Sequence, residues 1–481
     1  MTTDLTDVPG DARTPARRTD RLLVVSADGH AVMPEEAWAE YLEPAFHEHL
    51  ARLSEENARF TEVMLPLNDY DLIYPGTVSG SHYDVFDGER HYRDGRWAGA
   101  WDLDVRLAEM DREGVAAEFV FSSYYRAVDP FFNVSNTLYP LDAVEAGARA
   151  YNRWAHDTFG SAPDRLLLVG VVGRSLDIDV VVREAGWLAD HGFAGMYMPG
   201  FSAHPDQTPL DDLAWEPLWV LCAERGLSLV VHGGYGMEPG RSYGVLTDTF
   251  QRVKADGGSD ADAVNALRSG MFNDSFFTDL RCRRPLWQLM LGGAFDRHPD
   301  LRLMMTEVRG DWVPATLAHL DAAFEANRAE LPATTRPSEL WLSNCMAGLS
   351  FMHRSEVDMR HEIGVSTLSF GRDYPHTEGT WPNTLDYLRT LLAGVPEGEA
   401  RMIMGENLAR FLRLDHAALA PIVDRIGFAV EDVLVERPDI DPELQAHFDA
   451  RCGYSKPSEG ASRVDQIDSL LLGDLERLGA R

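Results

Sequence analysis

One pattern dominates the chain of 481 residues: from about residue 102 onward, a helical stretch, a turn and a short apolar run recur in fixed order. Asp104–Arg112 leads through Gly114 into Ala116–Phe121, and residues 143–159 lead through Pro163 into Leu166–Val172. Residues 177–190 lead through Gly192 into Phe193–Met198, and 212–225 through Gly226 into Leu227–His232. Residues 282–297 lead through Pro299 into Leu301–Glu307, and 311–328 precede Cys345–Phe351. Residues 355–363 lead through Gly364 into Val365–Phe370, and a last helix follows Pro382. With the opening run Leu22–Ser26, the apolar runs number eight. Near-continuous apolar strands that alternate with helices are buried on both faces, as in a parallel sheet covered by helices. Eight such units predict an α/β chain folded as a (β/α)8 TIM barrel. A doubly wound open sheet is the structural alternative.

Two stretches interrupt the regular units. Residues 34–100 follow the first strand, and residues 233–280 follow the fifth. Both insertions begin at the C-terminal end of a strand, which places them over the face where barrels keep their chemistry. The first is rich in aromatics (Tyr70, Tyr74, Tyr83, Phe86, Tyr92, Trp97, Trp101), which favours an apolar or aromatic substrate if it folds over the mouth. The expected organisation is a disordered arm over 1–20, a barrel over 21–414 and a helical C-terminal extension over 415–481. That extension contains a polar linker, Gly453–Arg463.

Composition excludes several function classes. Lys and Arg total 44 against 77 Asp and Glu, a net charge of −33, whereas nucleic acids and anionic membrane surfaces require clustered positive charge. No apolar run approaches a membrane span, and the first twenty residues lack the apolar core of a secretory leader. The four cysteines, Cys222, Cys282, Cys345 and Cys452, are far apart and read as reduced thiols. These features give a cytoplasmic expectation. Lysine is confined to Lys254 and Lys456 in polar stretches, which disfavours Schiff-base chemistry. No Gly-rich nucleotide loop or nucleophile-elbow motif follows any predicted strand.

Five ionisable residues end four of the apolar runs. Asp28 and His30 close the first, and their spacing of two turns both side chains to one side of the strand. His232 closes the fifth, Glu307 the sixth and Asp373 the eighth. Taken singly, each has a plain structural reading: a strand-end histidine in a core, or Glu307 paired with Arg309 or Arg372. Together at one barrel mouth, two imidazoles and three carboxylates form an N/O ligand set suited to Zn, Mn or Fe as a divalent ion.

At these residues the chain resembles the amidohydrolase-related family, the barrel group that includes aminocarboxymuconate-semialdehyde decarboxylase. Ser26-Ala-Asp-Gly-His30 resembles its D-x-H opening, and His298–Glu307 followed by Trp312 its sixth-strand signature. Phe370-Gly-Arg-Asp-Tyr-Pro-His376 is similar to its eighth-strand motif, and Gly405-Glu-Asn407 to its closing turn. Arg106–Gly114 and Tyr151-Asn-Arg-Trp154 match weaker helical signatures, so the resemblance spans about 22–414. Three departures shape what it implies. Asp28 replaces the first histidine of H-x-H, Gly195–Pro199 offers no bridging lysine, and Glu307 stands where several relatives have histidine.

The resemblance implies one metal held by Asp28, His30, His232 and Asp373, with zinc the leading choice and manganese or iron the others. Glu307 would stand behind the ligands and handle protons, or ligate if a second metal binds. Asp373, Glu307 and His376 are the candidate catalytic residues, and His376, Arg309, Arg126 and Tyr124 the candidate substrate contacts. The leading expectation is a hydrolase in which metal-activated water cleaves a C–N or C–C bond of a small, aromatic or carboxylated substrate. A non-oxidative decarboxylase uses the same site. A non-haem iron or diiron oxygenase and a non-catalytic binding protein are further alternatives. Fold-level analogy adds a homodimer.

Overall fold

The computed structural model describes residues 20–55, 58, 85–122, 139–200, 204–233, 235–236, 252–259, 262–263, 280–350, 352–376, 379–449 and 464–480. Within them runs one parallel sheet. Its strands are β1 (Val24–Ser26), β2 (His30–Ala31), β3 (Val115–Ser122), β4 (Leu166–Gly170) and β5 (Gly195–Tyr197). It continues through β6 (Ser228–His232), β7 (Leu303–Thr306), β8 (Cys345–Ser350) and β9 (Leu368–Gly371). The order is β1-β3-β4-β5-β6-β7-β8-β9, and the two-residue β2 also pairs with β3. β1 and β2 therefore share one barrel position on either side of the turn Ala27–Gly29.

The ends of the sheet meet. Ala27 N–H donates to the carbonyl of Phe370 at 2.8 Å, Asp373 N–H to Asp28 at 3.1 Å, and His30 N–H to Tyr374 at 2.6 Å. The result is a nearly closed barrel of eight parallel strand positions with helices between them, as the apolar runs predict. Alternation along the strands sets the two layers. Val25, Phe119, Val169, Val230 and Met304 fill the interior, while Val24, Val120, Leu168, Leu229 and Met305 pack against the helices.

Some local boundaries differ from expectation. An eight-residue helix, Pro337–Asn344, stands immediately before β8 where the sequence suggested only a connection. Residues 365–367 form a 3-10 turn, so β9 begins at Leu368. The expected helix 282–297 is broken into three pieces, the last of them entered through Gly293 at φ +72°. The closing Gly-x-Asn turn has a packing reason: a Cβ on Gly405 would lie 2.4 Å from the Leu23 carbonyl oxygen. Asn407 Nδ2 donates to the carbonyls of Val365 and Leu368, which holds the entry to β9.

Of the first insertion's aromatics, Phe86 and Tyr92 are buried and Trp97 packs edge-on to Trp101. Tyr70, Tyr74 and Tyr83 lie outside the described residues, as does most of 233–280. In the C-terminal region, helix Val464–Arg477 lies on the barrel's own helix Arg284–Leu291. Its buried Asp474 accepts from Arg284 Nη2 at 2.6 Å and from Trp287 Nε1 at 2.8 Å. Among the described residues no helix is long and apolar enough to cross a membrane.

Candidate metal centre

The strand geometry brings the five singled-out residues to one mouth. In β6 the inward alternation that buries Val230 carries His232 to the same side. Asp28 stands in the turn before β2, His30 opens β2, Glu307 follows β7, and Asp373 lies two residues past β9. Two of these positions have unusual backbone: Glu307 has φ +55° and Asp373 φ +56°, the left-handed region that non-glycine residues seldom adopt. The turn aims each carboxylate back over the mouth rather than along the strand.

His30 Nε2 lies 3.4 Å from Asp28 Oδ1 and 3.0 Å from Asp373 Oδ1. His232 Nε2 lies 3.6 Å from the same Asp28 Oδ1. One potential ligand atom from each of Asp28, His30 and His232 falls within a 4.8 Å cluster, and His30, Asp373 and His376 form a second cluster by the same measure. His30 is common to both and faces His376 ring to ring, at 4.1 Å and 13°.

Hydrogen bonds fix which imidazole nitrogen faces the cluster. His30 Nδ1 lies 3.3 Å from the Ser122 carbonyl, which can only accept, so Nδ1 carries the hydrogen and Nε2 presents a lone pair. His232 Nδ1 likewise faces the Gly233 carbonyl at 3.3 Å and Glu307 Oε2 at 3.1 Å, leaving its Nε2 bare. Asp28 Oδ1, His30 Nε2 and His232 Nε2 are buried with no hydrogen-bond partner. Two lone pairs and a carboxylate oxygen repel one another unless a proton or cation lies between them. A proton on His30 is opposed by burial, then by His376 and His232, which together hold its pKa well below the ordinary 6.5. The pattern fits a cation, and an N/O donor set suits a divalent transition metal. His232 moves the other way: burial disfavours its charged form, but Glu307 and Asp28 outweigh that and raise its pKa.

The remaining singled-out residues fall outside this cluster. Glu307 touches His232 on the face away from Asp28 and packs over Gly233, where a Cβ would lie 2.5 Å from Glu307 Oε2. It thus orients a ligand candidate rather than joining the orphaned atoms. His376 Nδ1 lies 3.3 Å from Asp373 Oδ1. Arg309 is buried against Asp311, with Nη2 2.5 Å from Oδ2. Tyr124 and Arg126 lie outside the described residues.

Two participants gave no site signal in the sequence. Ser350, at the end of β8, donates its hydroxyl to Asp28 Oδ2, so that carboxylate turns only Oδ1 toward the histidines. A serine at the end of an apolar run is unremarkable, and nothing marked it. Glu118 is a lone charge inside the apolar run Ala116–Phe121, which was a usable signal. It accepts from Arg372 Nε at 2.5 Å and Arg106 Nη2 at 2.6 Å, both fully buried.

A (β/α)8 barrel with this ligand-like cluster at its C-terminal strand ends defines a metal-dependent barrel enzyme. Residues 46–414 match the family model described as amidohydrolase, and the chain belongs to that family. No functionally curated protein matches it significantly in sequence. Among solved structures it is similar to an amidohydrolase from Mycobacterium avium subsp. paratuberculosis K-10, with 19% identity and TM-score 0.55 over 81% of this chain and 99% of that one. It is also similar to 2,6-dihydroxybenzoate decarboxylase from Rhizobium, with 18% identity and TM-score 0.51 over 82% and 99%. A third similar structure is 5-carboxyvanillate decarboxylase from Novosphingobium aromaticivorans with bound manganese, at 16% identity and TM-score 0.50 over 82% and 98%. These likenesses show the fold.

Proposed function

We propose that the protein is a non-oxidative decarboxylase of an aromatic carboxylic acid, with one divalent ion held by Asp28, His30, His232 and Asp373. The carrying observation is the placement of Asp373. Its Oδ1 contacts both the ligand candidate His30 and, at 3.3 Å, His376, whose ring stacks on that of His30. One carboxylate thus reaches the metal-facing atoms and a titratable partner at once. Two barrels of similar fold, the Rhizobium and Novosphingobium proteins, are decarboxylases of substituted benzoates. That precedent favours decarboxylation over the hydrolysis first expected. The N/O set is compatible with manganese, which the Novosphingobium protein binds, and with zinc.

When bound, the ion would draw the substrate's carboxylate and a neighbouring oxygen to the mouth and polarise them. Asp373 in its acid form gives its proton to the ring carbon that bears the carboxylate. The bond from that carbon to the carboxyl carbon then breaks, its electron pair returns to the ring, and carbon dioxide leaves. Asp373 is left as a carboxylate and regains a proton through His376, which relays it from solvent. Glu307, on His232 Nδ1, keeps that imidazole's Nε2 directed inward. Hydrolysis is the second reading, with Asp373 first taking a proton from water and then giving it to the leaving group.

The test is to incubate the manganese-loaded protein with hydroxylated benzoates in deuterated water. Carbon dioxide release with one deuterium at the vacated ring carbon is the expected result. No release from any benzoate, together with turnover of amides or lactones, would return the hydrolase to the front.

A further inference from the structure

Beneath the mouth lies a charge cluster that the mechanism above does not use. Glu118 Oε2 accepts from Arg106 Nη2 at 2.6 Å and Nε at 3.1 Å, and from Arg372 Nη2 at 3.2 Å. Its Oε1 accepts from Arg372 Nε at 2.5 Å. All three side chains are fully buried, and the Tyr374 ring lies against both guanidiniums, 5.2 Å from that of Arg106 and 4.6 Å from that of Arg372. One carboxylate between two guanidiniums leaves a positive charge in excess within this buried cluster. A second buried arginine adds desolvation cost that a stabilising pair alone does not require.

The outer ends of the cluster lead to the two halves of the ligand set. Arg106 Nη1 donates to the His30 carbonyl at 2.6 Å. Arg372 immediately precedes Asp373, and its backbone N–H donates to Ser26 Oγ at 2.9 Å, whose own hydroxyl donates to the Asp28 carbonyl at 2.6 Å. The carboxylate itself presses under the Asp-Gly-His turn: a Cβ on Gly29 would lie 2.5 Å from Glu118 Cδ, so only glycine fits between the two ligand residues. The first and last barrel strands bring Asp28, His30 and Asp373 from opposite ends of the sheet order, and Glu118 on β3 reaches both segments, the first through Arg106 and the last through Arg372.

We infer that Glu118 is a positioning residue that fixes the separation of His30 and Asp373, acting through Arg106 and Arg372. The inference rests on the metal-site reading given above. Outer partners of metal ligands typically change affinity by about 10–100-fold when removed.

The experiment measures Mn²⁺ affinity and melting temperature together for the wild type, Glu118→Gln, and the double variant Glu118→Gln/Arg372→Met. The single variant is expected to bind Mn²⁺ about 10–100-fold more weakly and to melt earlier. The double variant returns the cluster to one excess positive charge, so it is expected to regain melting temperature without regaining affinity. Should the single variant fail to fold, Arg372→Met alone leaves Glu118 paired one-to-one with Arg106. It is expected to fold and still to bind Mn²⁺ weakly. Affinity that returns in step with stability, or that never falls, overturns the inference and leaves the cluster a packing device. A wild-type protein that takes up no Mn²⁺ overturns the metal-site reading, and this inference with it.

Discussion

Asp373 Oδ1 stands 3.0 Å from His30 Nε2, so the last barrel strand meets the first through two side chains rather than through backbone alone. The contact places a carboxylate beside an imidazole lone pair, an arrangement that an intervening cation explains. On the proposed mechanism it makes Asp373 the residue on which both metal binding and proton transfer depend.

Replacing Asp373 with Asn is therefore the sharpest single test of chemistry. Asparagine tolerates the left-handed backbone at this position, φ +56°, better than most residues. The fold and melting temperature are expected to hold while turnover falls by about 10²–10⁴-fold, the usual contribution of a positioned acid or base. Unchanged turnover would remove Asp373 from the mechanism.

Metal content separates ligands from their neighbours. His30→Ala and His232→Ala each delete an orphaned nitrogen of the cluster, and both are expected to lose bound metal on elemental analysis. Glu307→Gln removes only a partner of His232 Nδ1. It is expected to retain metal at saturation with affinity reduced by about 10–100-fold. Equal loss in all three would make Glu307 a ligand.

Acid stability reports on Glu118. Burial alone would raise its carboxyl, but Arg372 and Arg106 outweigh that and hold it below the ordinary 4.5. The unfolded chain then takes up a proton near pH 4.5 while the native one does not. The stability that this group contributes is present above pH 4.5 and is lost as pH falls from there through the folded value. In denaturant titrations the wild type is expected to lose stability steeply below pH 4.5, and Glu118→Gln less steeply. Parallel slopes would contradict the ion-pair assignment.

The C-terminal helix hangs on Asp474, which accepts from Arg284, Trp287 and Arg477. Asp474→Ala is expected to cost about 2–3 kcal/mol, because charge-assisted bonds are lost and Arg284 is only partly buried. Limited proteolysis should then cut within 464–480 first. A helix that stays protected would show that its apolar face alone, through Ile467, Leu471 and Leu475, holds it down.

The barrel was legible because each strand is covered on both faces. Runs such as Leu227–His232 and Leu301–Glu307 therefore read as largely apolar text that stops at an ionisable residue. The same rule singled out Asp28, His30, His232, Glu307 and Asp373 as candidates, since the mouth-side end of a barrel strand is where an apolar run stops. What stayed hidden depends on distant pairing. Arg372 and Arg309 both looked free to meet Glu307, yet the structure gives Arg372 to Glu118 and Arg309 to Asp311. Ser350 carries no local mark, and its role exists only because β8 and the Asp28 turn are neighbours in space. Helix Pro337–Asn344 was missed because it is short and begins in a polar Thr-Arg-Pro stretch that reads as a connection.

The left-handed turns at Glu307 and Asp373 bear on any attempt to harden this protein against heat. Each holds a side chain in backbone that glycine or asparagine would occupy with less strain, at a cost of about 1–3 kcal/mol per residue. A selection scored on heat tolerance alone would be drawn to Glu307→Asn or Asp373→Gly; on the proposed mechanism the first would weaken metal affinity and the second would remove the proton donor. On that mechanism, thermal robustness and function are set against each other at two identifiable codons.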